Sequence, residues 1–220
     1  MIPIRSLHTE KFVHLLNAMA GGHGKLKGVM ARRLVKKVDV SSARAALRTA
    51  THDIHERMHD HPALARLAAG TIGRDEYRRV LARSYGFYAM VQPDVGHAGE
   101  LTDCLAQDLA ELGMTAAAIS DLPRCAPVVI ADGHAEQIGA CYVLLGASLG
   151  GKVMARAIAG RETDGSMLPV HFLTGTNENE WKAFAVGIEA KLPDADSRSR
   201  AARSAMAMFT AYEDWMAGHE

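Results

Sequence analysis

Residues 145–151 read Leu-Gly-Ala-Ser-Leu-Gly-Gly, and this stretch decides how the rest of the chain is interpreted. The surrounding residues, 132–158, have the composition of one long helix. Glycine in a helix interior costs about 1 kcal/mol relative to alanine, so three glycines within six residues need a physical reason. Without β-carbons a flat ligand can lie against the backbone, and glycine-rich positions allow a helix to kink. Close packing against another helix is the alternative explanation.

Helical signals continue on both sides of this run. Ser41 or Ser42 is a suitable N-cap for a helix that ends near Asp60. Its buried face is marked by apolar residues at helical spacing, namely Leu47, Ala50, Ile54 and Met58. Further helices are expected over 74–92, 95–112, 132–158, 177–191 and 196–217. No segment alternates like a strand, and no repeat of fixed period occurs. The sequence therefore predicts an all-α, single-domain helical bundle with a kinked, glycine-rich helix.

The composition fits one globular domain. A chain of 220 residues with 48% hydrophobic residues can bury a sizeable core. It contains no run of 18 or more apolar residues, so no membrane span is expected. Three widely spaced cysteines, Cys104, Cys125 and Cys141, predict neither a disulfide framework nor a zinc site. The N-terminus also lacks the pattern of a secretory signal, which makes a cytoplasmic protein the expectation.

The net charge of zero conceals a basic N-terminal segment. Residues 1–44 hold nine lysines or arginines against two acidic residues, so this segment carries about +7 and the remainder about −7. Such an arm can bind nucleic acid, an anionic membrane surface or an acidic partner, although a solvated extension without a binding role is the alternative. No specific nucleic-acid partner is predicted. We expect residues 1–40 to form a flexible or peripheral extension and residues 41–220 to form the domain.

A second segment, ALRTATHDIHE at residues 46–56, lies about ninety residues before the glycine run. Together the two segments resemble the haem oxygenase family. In that family an L-x-x-A-T-x-x-x-H segment supplies the proximal histidine, and a Y-x-x-L-G-x-x-x-G-G helix covers the distal face of haem. The matching residues are Leu47, Ala50, Thr51 and His55, followed by Tyr142, Leu145, Gly146, Gly150 and Gly151. Tyr77 to Tyr88 resembles the family's aromatic second helix and Ala207 to Trp215 its closing helix.

The resemblance implies that His55 is the metal ligand, because a neutral imidazole is the usual proximal ligand when haem iron must stay open to oxygen. A lone histidine beside Ile54, at the edge of an apolar stripe, is more often a packed or surface residue. His52 and His59, one turn to either side, are alternative ligands. The pairs His52-x-x-His55 and His55-x-x-x-His59 are by themselves weak signals of a zinc site.

Two further cofactor contacts are predicted near the ligand. Arg48 lies two helical turns before His55, about 10 Å along the axis, which is comparable to the span from haem iron to a propionate. The resemblance assigns a propionate partner to this position, and a solvated helix charge is the alternative. Tyr142, at the start of the distal motif, is the other predicted cofactor contact.

The penultimate long helix supplies a second basic contact in the family. The matching residue here is Lys182, which we predict to bind the cofactor. Val186 stands where the family has an additional arginine. Lys152 and Arg156, which follow the glycine run, are candidate replacements.

The predicted catalytic positions on the distal helix are Gly146, Ser148, Gly150 and Gly151. The chain departs from the family at Ala147, where better-known members have an aspartate that orders water for proton delivery to bound oxygen. Alanine cannot do this, so Ser148 and water on the helix backbone are the expected substitutes. The resemblance is closest to the bacterial branch that supplies biliverdin to phytochromes.

The resemblance implies an oxidoreductase that uses haem as cofactor and substrate. Its expected reaction cleaves haem to biliverdin, carbon monoxide and ferrous iron, with O2 and electrons from a ferredoxin or flavoprotein reductase. A phytochrome or other bilin acceptor is the expected partner. The alternative function is a non-enzymatic haem- or bilin-binding sensor or carrier, which Ala147 and Val186 favour and the retained glycines do not. An all-α relative with another small-molecule substrate is a third interpretation.

Overall fold

The computed structural model describes residues 42–163, 165–175 and 178–218. Within these residues, nine α-helices and one short 3-10 helix account for the regular structure apart from a two-stranded hairpin. The prediction of an all-α bundle is therefore confirmed. The predicted basic extension, residues 1–40, lies outside the described residues.

The elements follow one another in the order α1 Ala43–Asp60, α2 Pro62–Ala68, α3 Arg74–Tyr88, the 3-10 helix Val95–His97, α4 Ala98–Glu111, α5 Ala116–Ser120, α6 His134–Ile158, β1 Glu162–Thr163, β2 Ser166–Met167, α7 His171–Thr174, α8 Glu178–Lys191 and α9 Ala195–Ala217. The two strands pair antiparallel. Helices α5 and α7 were not predicted, because elements of five and four residues are too short to show a helical period.

Helix α1 begins and ends where its sequence predicts. The Ser42 hydroxyl accepts a hydrogen bond from the amide of Ala45 at 3.1 Å, which satisfies one of the free amides at the helix start. Pro62 then opens α2, where its missing N–H breaks no helical hydrogen bond. Along α1, Leu47, Thr51, Ile54 and Met58 are buried, whereas Ala50 is half-buried.

Helices α3 and α4 are shorter than predicted. Helix α3 ends at Tyr88 rather than at Gln92. Helix α4 begins at Ala98 because the two residues before it, Gly96 and His97, have φ angles of 54° and 62°. Left-handed residues cannot continue a right-handed helix, so the backbone turns here before α4 starts.

Helix α6 lies at the centre of the bundle. It packs along α9 and also contacts α2, α7 and α8. Gly139 allows the close approach to α9, since a β-carbon at this position would overlap the carbonyl oxygen of Ala201. The helix continues as one element from His134 to Ile158, so the glycine run at residues 146–151 is accommodated without ending it.

By length and composition, α6 is the described helix that is apolar enough to cross a membrane, with a mean hydropathy of 1.5. Helix α6 packs against four other helices, which explains why it is apolar. A core helix of a globular domain has the same composition as a membrane span of this length.

A buried carboxylate fixes α7 beside α6. Asp108 of α4 is fully buried, and its two oxygens accept hydrogen bonds from the backbone amides of His171 and Phe172, both at 2.9 Å. Burial raises the pKa of Asp108, and the two amide hydrogen bonds act in the opposite direction. This anchoring brings the backbone of Leu173 onto α6 at Gly151.

Candidate functional site

His55 lies at the boundary between the α1–α9 interface and solvent. Its side chain is 43% exposed, while the neighbouring Ile54 is buried. The ring of His55 makes an edge contact with Phe209 of α9, with centroids 6.1 Å apart and planes at 89°. One side of the imidazole is therefore supported by packing, and the other remains accessible to a ligand.

The surroundings of His55 favour its neutral form. Partial burial is the main cause that lowers the pKa of His55, and the neighbouring His59 and His52 act in the same direction. Glu56 opposes this effect, since its Oε1 lies 3.6 Å from Nδ1 of His55. Because only a neutral imidazole has a free lone pair for a metal ion, the lowered pKa favours ligation near neutral pH.

The three glycines of the distal motif have three different surroundings. Apart from its own helical turn, no described atom lies within 4 Å of the position that a β-carbon would take at Gly150. At Gly146 a β-carbon would be 3.5 Å from the ring of Trp181, an ordinary contact. At Gly151 it would be 2.6 Å from the carbonyl oxygen of Leu173, which only a glycine tolerates without movement. Close packing therefore explains Gly151, whereas Gly150 borders open space.

Tyr142 connects the distal helix with α1. Burial raises its pKa, while an interaction with the Thr51 hydroxyl and the charges of nearby arginines, Arg48 among them, oppose the increase. Gly146 is one turn after Tyr142 on α6, and His55 is one turn after Thr51 on α1. The structure thus brings the two predicted motifs to the same part of the bundle.

Helix α8 contributes an aromatic surface beside Gly146. Trp181 lies 5.7 Å from Tyr142 and 5.9 Å from Phe184, measured between ring centroids. Lys182 is exposed next to Trp181. Val186 is 83% exposed, so the position at which the resemblance predicts an arginine offers apolar surface instead.

The other face of α6 borders a small, partly open cavity. Its volume is about 30 Å³, and its lining includes Tyr88, Ala147, Ser148, Gly151 and Phe172. The buried Ser148 hydroxyl donates to the carbonyl of Leu145 at 2.6 Å. A space of this size holds about one or two water molecules when polar groups are available. The four predicted distal residues therefore divide between two faces of α6, with Gly146 and Gly150 on one and Ser148 and Gly151 on the other.

A model of the family described as "Heme oxygenase" matches residues 41–218. The chain belongs to the haem oxygenase family. It is also 28% identical, over 164 residues, to a protein named "Heme oxygenase" from Xanthomonas campestris pv. campestris (strain 8004), a match that covers 69% of this chain and 94% of that protein. The resemblance seen in the sequence is confirmed, and with it the assignment of the chain to a family of haem-degrading enzymes.

The residues present fit the haem that this family binds as prosthetic group and substrate. His55 offers an accessible imidazole, and the open space beside Gly150 admits a ligand against the backbone of α6. Arg48 is exposed on α1, where its charge is available to an anionic group. Helix α6 is continuous through the glycines, and the predicted kink within it stays a prediction.

Two neighbours of His55 were not predicted from the sequence. Phe209 lies in the segment that resembles the family's closing helix, but only its edge contact with His55 assigns it to the site. Glu56 directly follows His55 in the sequence, and adjacency on a helix does not by itself bring two side chains together. Only the structure shows that the Glu56 carboxylate approaches the His55 ring.

Proposed function

We propose that this chain cleaves haem to biliverdin, carbon monoxide and ferrous iron, using O2 and an external reductant. The observation that carries the proposal is the combination of an accessible imidazole, His55, with a helix face that is open at Gly150. Family membership supports the same reaction. Bound haem would supply the iron that activates oxygen and the porphyrin ring that is opened.

In this proposal His55 is the iron ligand. Its lowered pKa keeps the imidazole neutral, and the edge contact with Phe209 restrains the orientation of the ring. Arg48 and Lys182 are the proposed partners of the haem propionates, since both are exposed and basic. Tyr142 would contact the cofactor from α6.

Gly146 and Gly150 contribute to the proposed site because they have no side chains. Without side chains, these positions leave room for oxygen and for the edge of the ligand against the helix backbone. Trp181 limits the open region on the side of Gly146 and helps to exclude bulk water.

Proton delivery is proposed to use the cavity beside Ser148. Because the Ser148 hydroxyl donates its proton to Leu145, its oxygen is left to accept a hydrogen bond from water. Tyr88, whose pKa is raised by burial, keeps its proton and can donate it within a hydrogen-bonded chain. Water held by these two hydroxyls would replace the water that an aspartate orders in other members of the family.

The reaction needs electrons from outside the chain. A ferredoxin or a flavoprotein reductase is the proposed donor, and a phytochrome or another bilin acceptor is the proposed recipient of the product. We propose a cytoplasmic enzyme that works without a specific nucleic-acid partner.

The test is to mix the purified full-length protein with hemin and then add a reductant in the presence of catalase. Loss of the Soret band with growth of biliverdin absorption is the expected result. Catalase removes peroxide that would degrade free hemin without the enzyme. A Soret band that persists under these conditions would support a haem-binding sensor or carrier, the function that Ala147 favours.

A further inference from the structure

A compact set of metal-binding groups lies on α1 beyond the single ligand needed for haem. His55, Glu56 and His59 each offer one ligand atom, and these atoms all lie within 4.8 Å of one another. The rings of His55 and His59, four residues apart, have centroids 4.6 Å apart and planes at 78°. Both histidines are half-buried, and Glu56 is exposed.

The chemistry of these three groups suits a divalent transition-metal ion. Two histidines four residues apart on one helix face can bind the same ion, and a carboxylate adds a negatively charged donor. Imidazole and carboxylate ligands bind Fe²⁺, Co²⁺, Ni²⁺ and Zn²⁺, with affinities that follow the usual order of these metals.

The observed spacing is close to that of a bound ion. Ligand atoms that sit about 2.0–2.2 Å from one ion are separated from each other by roughly 3–4 Å. The three ligand atoms already lie within 4.8 Å of one another, and the exposed Glu56 side chain can rotate towards a shared ion. Exposure of Glu56 leaves the remaining coordination positions open to water.

We propose that His55, Glu56 and His59 form a site for a divalent first-row transition-metal ion, and that its natural occupant is the ferrous iron released from haem. The second part rests on the proposed function, because that reaction frees iron at its ligand His55. When the ring opens, the iron loses its porphyrin nitrogens and requires new donors. Glu56 and His59 are within reach and would receive it without any change in its charge.

The transfer balances without a further reactant. The iron would stay bound to His55 and would gain one carboxylate oxygen from Glu56 and one imidazole nitrogen from His59, with water completing its coordination. His59 would bind through the lone pair of its neutral imidazole, so this step needs no further proton acceptor. In the haem-free protein, the same geometry makes hemin and a free divalent ion compete for His55.

The first experiment measures binding of Co²⁺ alone to the haem-free, full-length protein without an affinity tag, by calorimetry and visible absorption. We expect His59→Ala and Glu56→Gln to weaken cobalt binding by at least about tenfold, since even residues that only support a metal ligand contribute about 10–100-fold. His134→Ala, which removes an exposed histidine at the start of α6, is the matched control and should bind normally.

Hemin binding separates this site from the haem ligand. Glu56→Gln and His59→Ala should still give a histidine-ligated hemin spectrum through His55, whereas His55→Ala should lose both hemin ligation and cobalt binding. Glu56 is exposed, so Glu56→Gln keeps the test decisive if His59→Ala fails to fold. Cobalt affinity that is unchanged in both folded variants would overturn the proposal.

The second experiment follows iron during turnover. During turnover, a ferrous chelator should capture iron faster from Glu56→Gln than from wild type. When the capture rate is divided by the rate of biliverdin formation, the variant should exceed wild type by the factor by which the substitution lowers cobalt affinity. Equal capture rates during normal biliverdin formation would overturn the role in iron release. A protein that binds cobalt through these three residues but leaves hemin intact would refute the oxygenase proposal and retain the metal site.

Discussion

Helices α1 and α6 carry the two family motifs, but they offer a ligand opposite kinds of surface. On α1 the relevant side is polar, with exposed Arg48 and His52 and half-buried His55 and His59. On α6 the relevant side is bare backbone, and Gly150 has open space where a side chain would be.

Because the two helix surfaces differ in this way, they respond to different kinds of substitution. The α1 side acts through groups that are present, so substitutions there remove ligands or charges. On the α6 side the glycine positions have no side chains, so substitutions there add bulk or polarity. Helix α9 packs against both helices and holds them in one bundle. We propose that the two surfaces belong to one site.

The largest effect is expected at the polar side. His55→Ala should abolish the histidine-ligated spectrum of hemin, because His55 is the accessible imidazole that the family motif supports. Visible absorption of the hemin-loaded protein measures this. His52→Ala should keep the spectrum. If instead His55→Ala keeps it while His52→Ala or His59→Ala loses it, the ligand lies one turn away.

Adding bulk at the bare side should have the next largest effect. Gly150→Leu should leave helical content unchanged but weaken hemin binding by about 10–100-fold. This factor corresponds to a loss of about 1–3 kcal/mol in binding free energy, the usual cost of overpacking. Hemin titration and circular dichroism measure the two properties separately.

The neighbouring glycine supplies the contrast. Gly151→Ala should instead lower the free energy of unfolding by about 1–3 kcal/mol, because its β-carbon would meet the carbonyl of Leu173 at 2.6 Å. Normal hemin affinity in Gly150→Leu would show that this glycine does not border the ligand.

A polar group added on the cavity side of α6 should have a moderate effect. Ala147→Asp should raise the initial rate of biliverdin formation by up to about tenfold if wild-type turnover is limited by proton delivery, since an added water-mediated hydrogen bond contributes about 0.5–1.5 kcal/mol. Wild type and variant are compared under the same reductant. If both are inactive with normal hemin ligation, a missing proton relay is not the cause, and the haem-binding sensor or carrier gains support.

The smallest effect on hemin binding is expected at Arg48, the exposed charge on α1. Arg48→Gln should weaken hemin binding by up to about fivefold, the range of a solvent-exposed ion pair, and the difference should shrink at high salt. Arg57→Gln is the control, because Arg57 already pairs with Glu213 of α9 at 2.7 Å. Equal losses in the two variants would argue against a specific propionate contact.

Local signals in the sequence were enough to predict α1. Ser42 and Pro62 act on their own helix ends, and the apolar residues between them follow the helical period. The same local approach could not predict the break before α4, because the left-handed His97 is not a glycine and gives no distinct sequence signal.

The glycine run shows where prediction from sequence stops. The pattern indicated that all three glycines keep space for a ligand, with close packing as the alternative. Their surroundings depend on partners from distant segments: Leu173 covers Gly151, Trp181 approaches Gly146, and nothing described covers Gly150. Neighbours set by tertiary packing cannot be derived from the spacing of the glycines themselves.

The anchoring of α7 by Asp108 has a consequence for engineering the protein. Asp108 fixes the amides of His171 and Phe172, and through them the position of Leu173 against α6. The packing of Leu173 on the Gly151 face of α6 is thus set from α4, by a carboxylate in the protein interior. Substitutions around Asp108 would therefore change how α7 packs on α6 without altering His55 or the open side at Gly150.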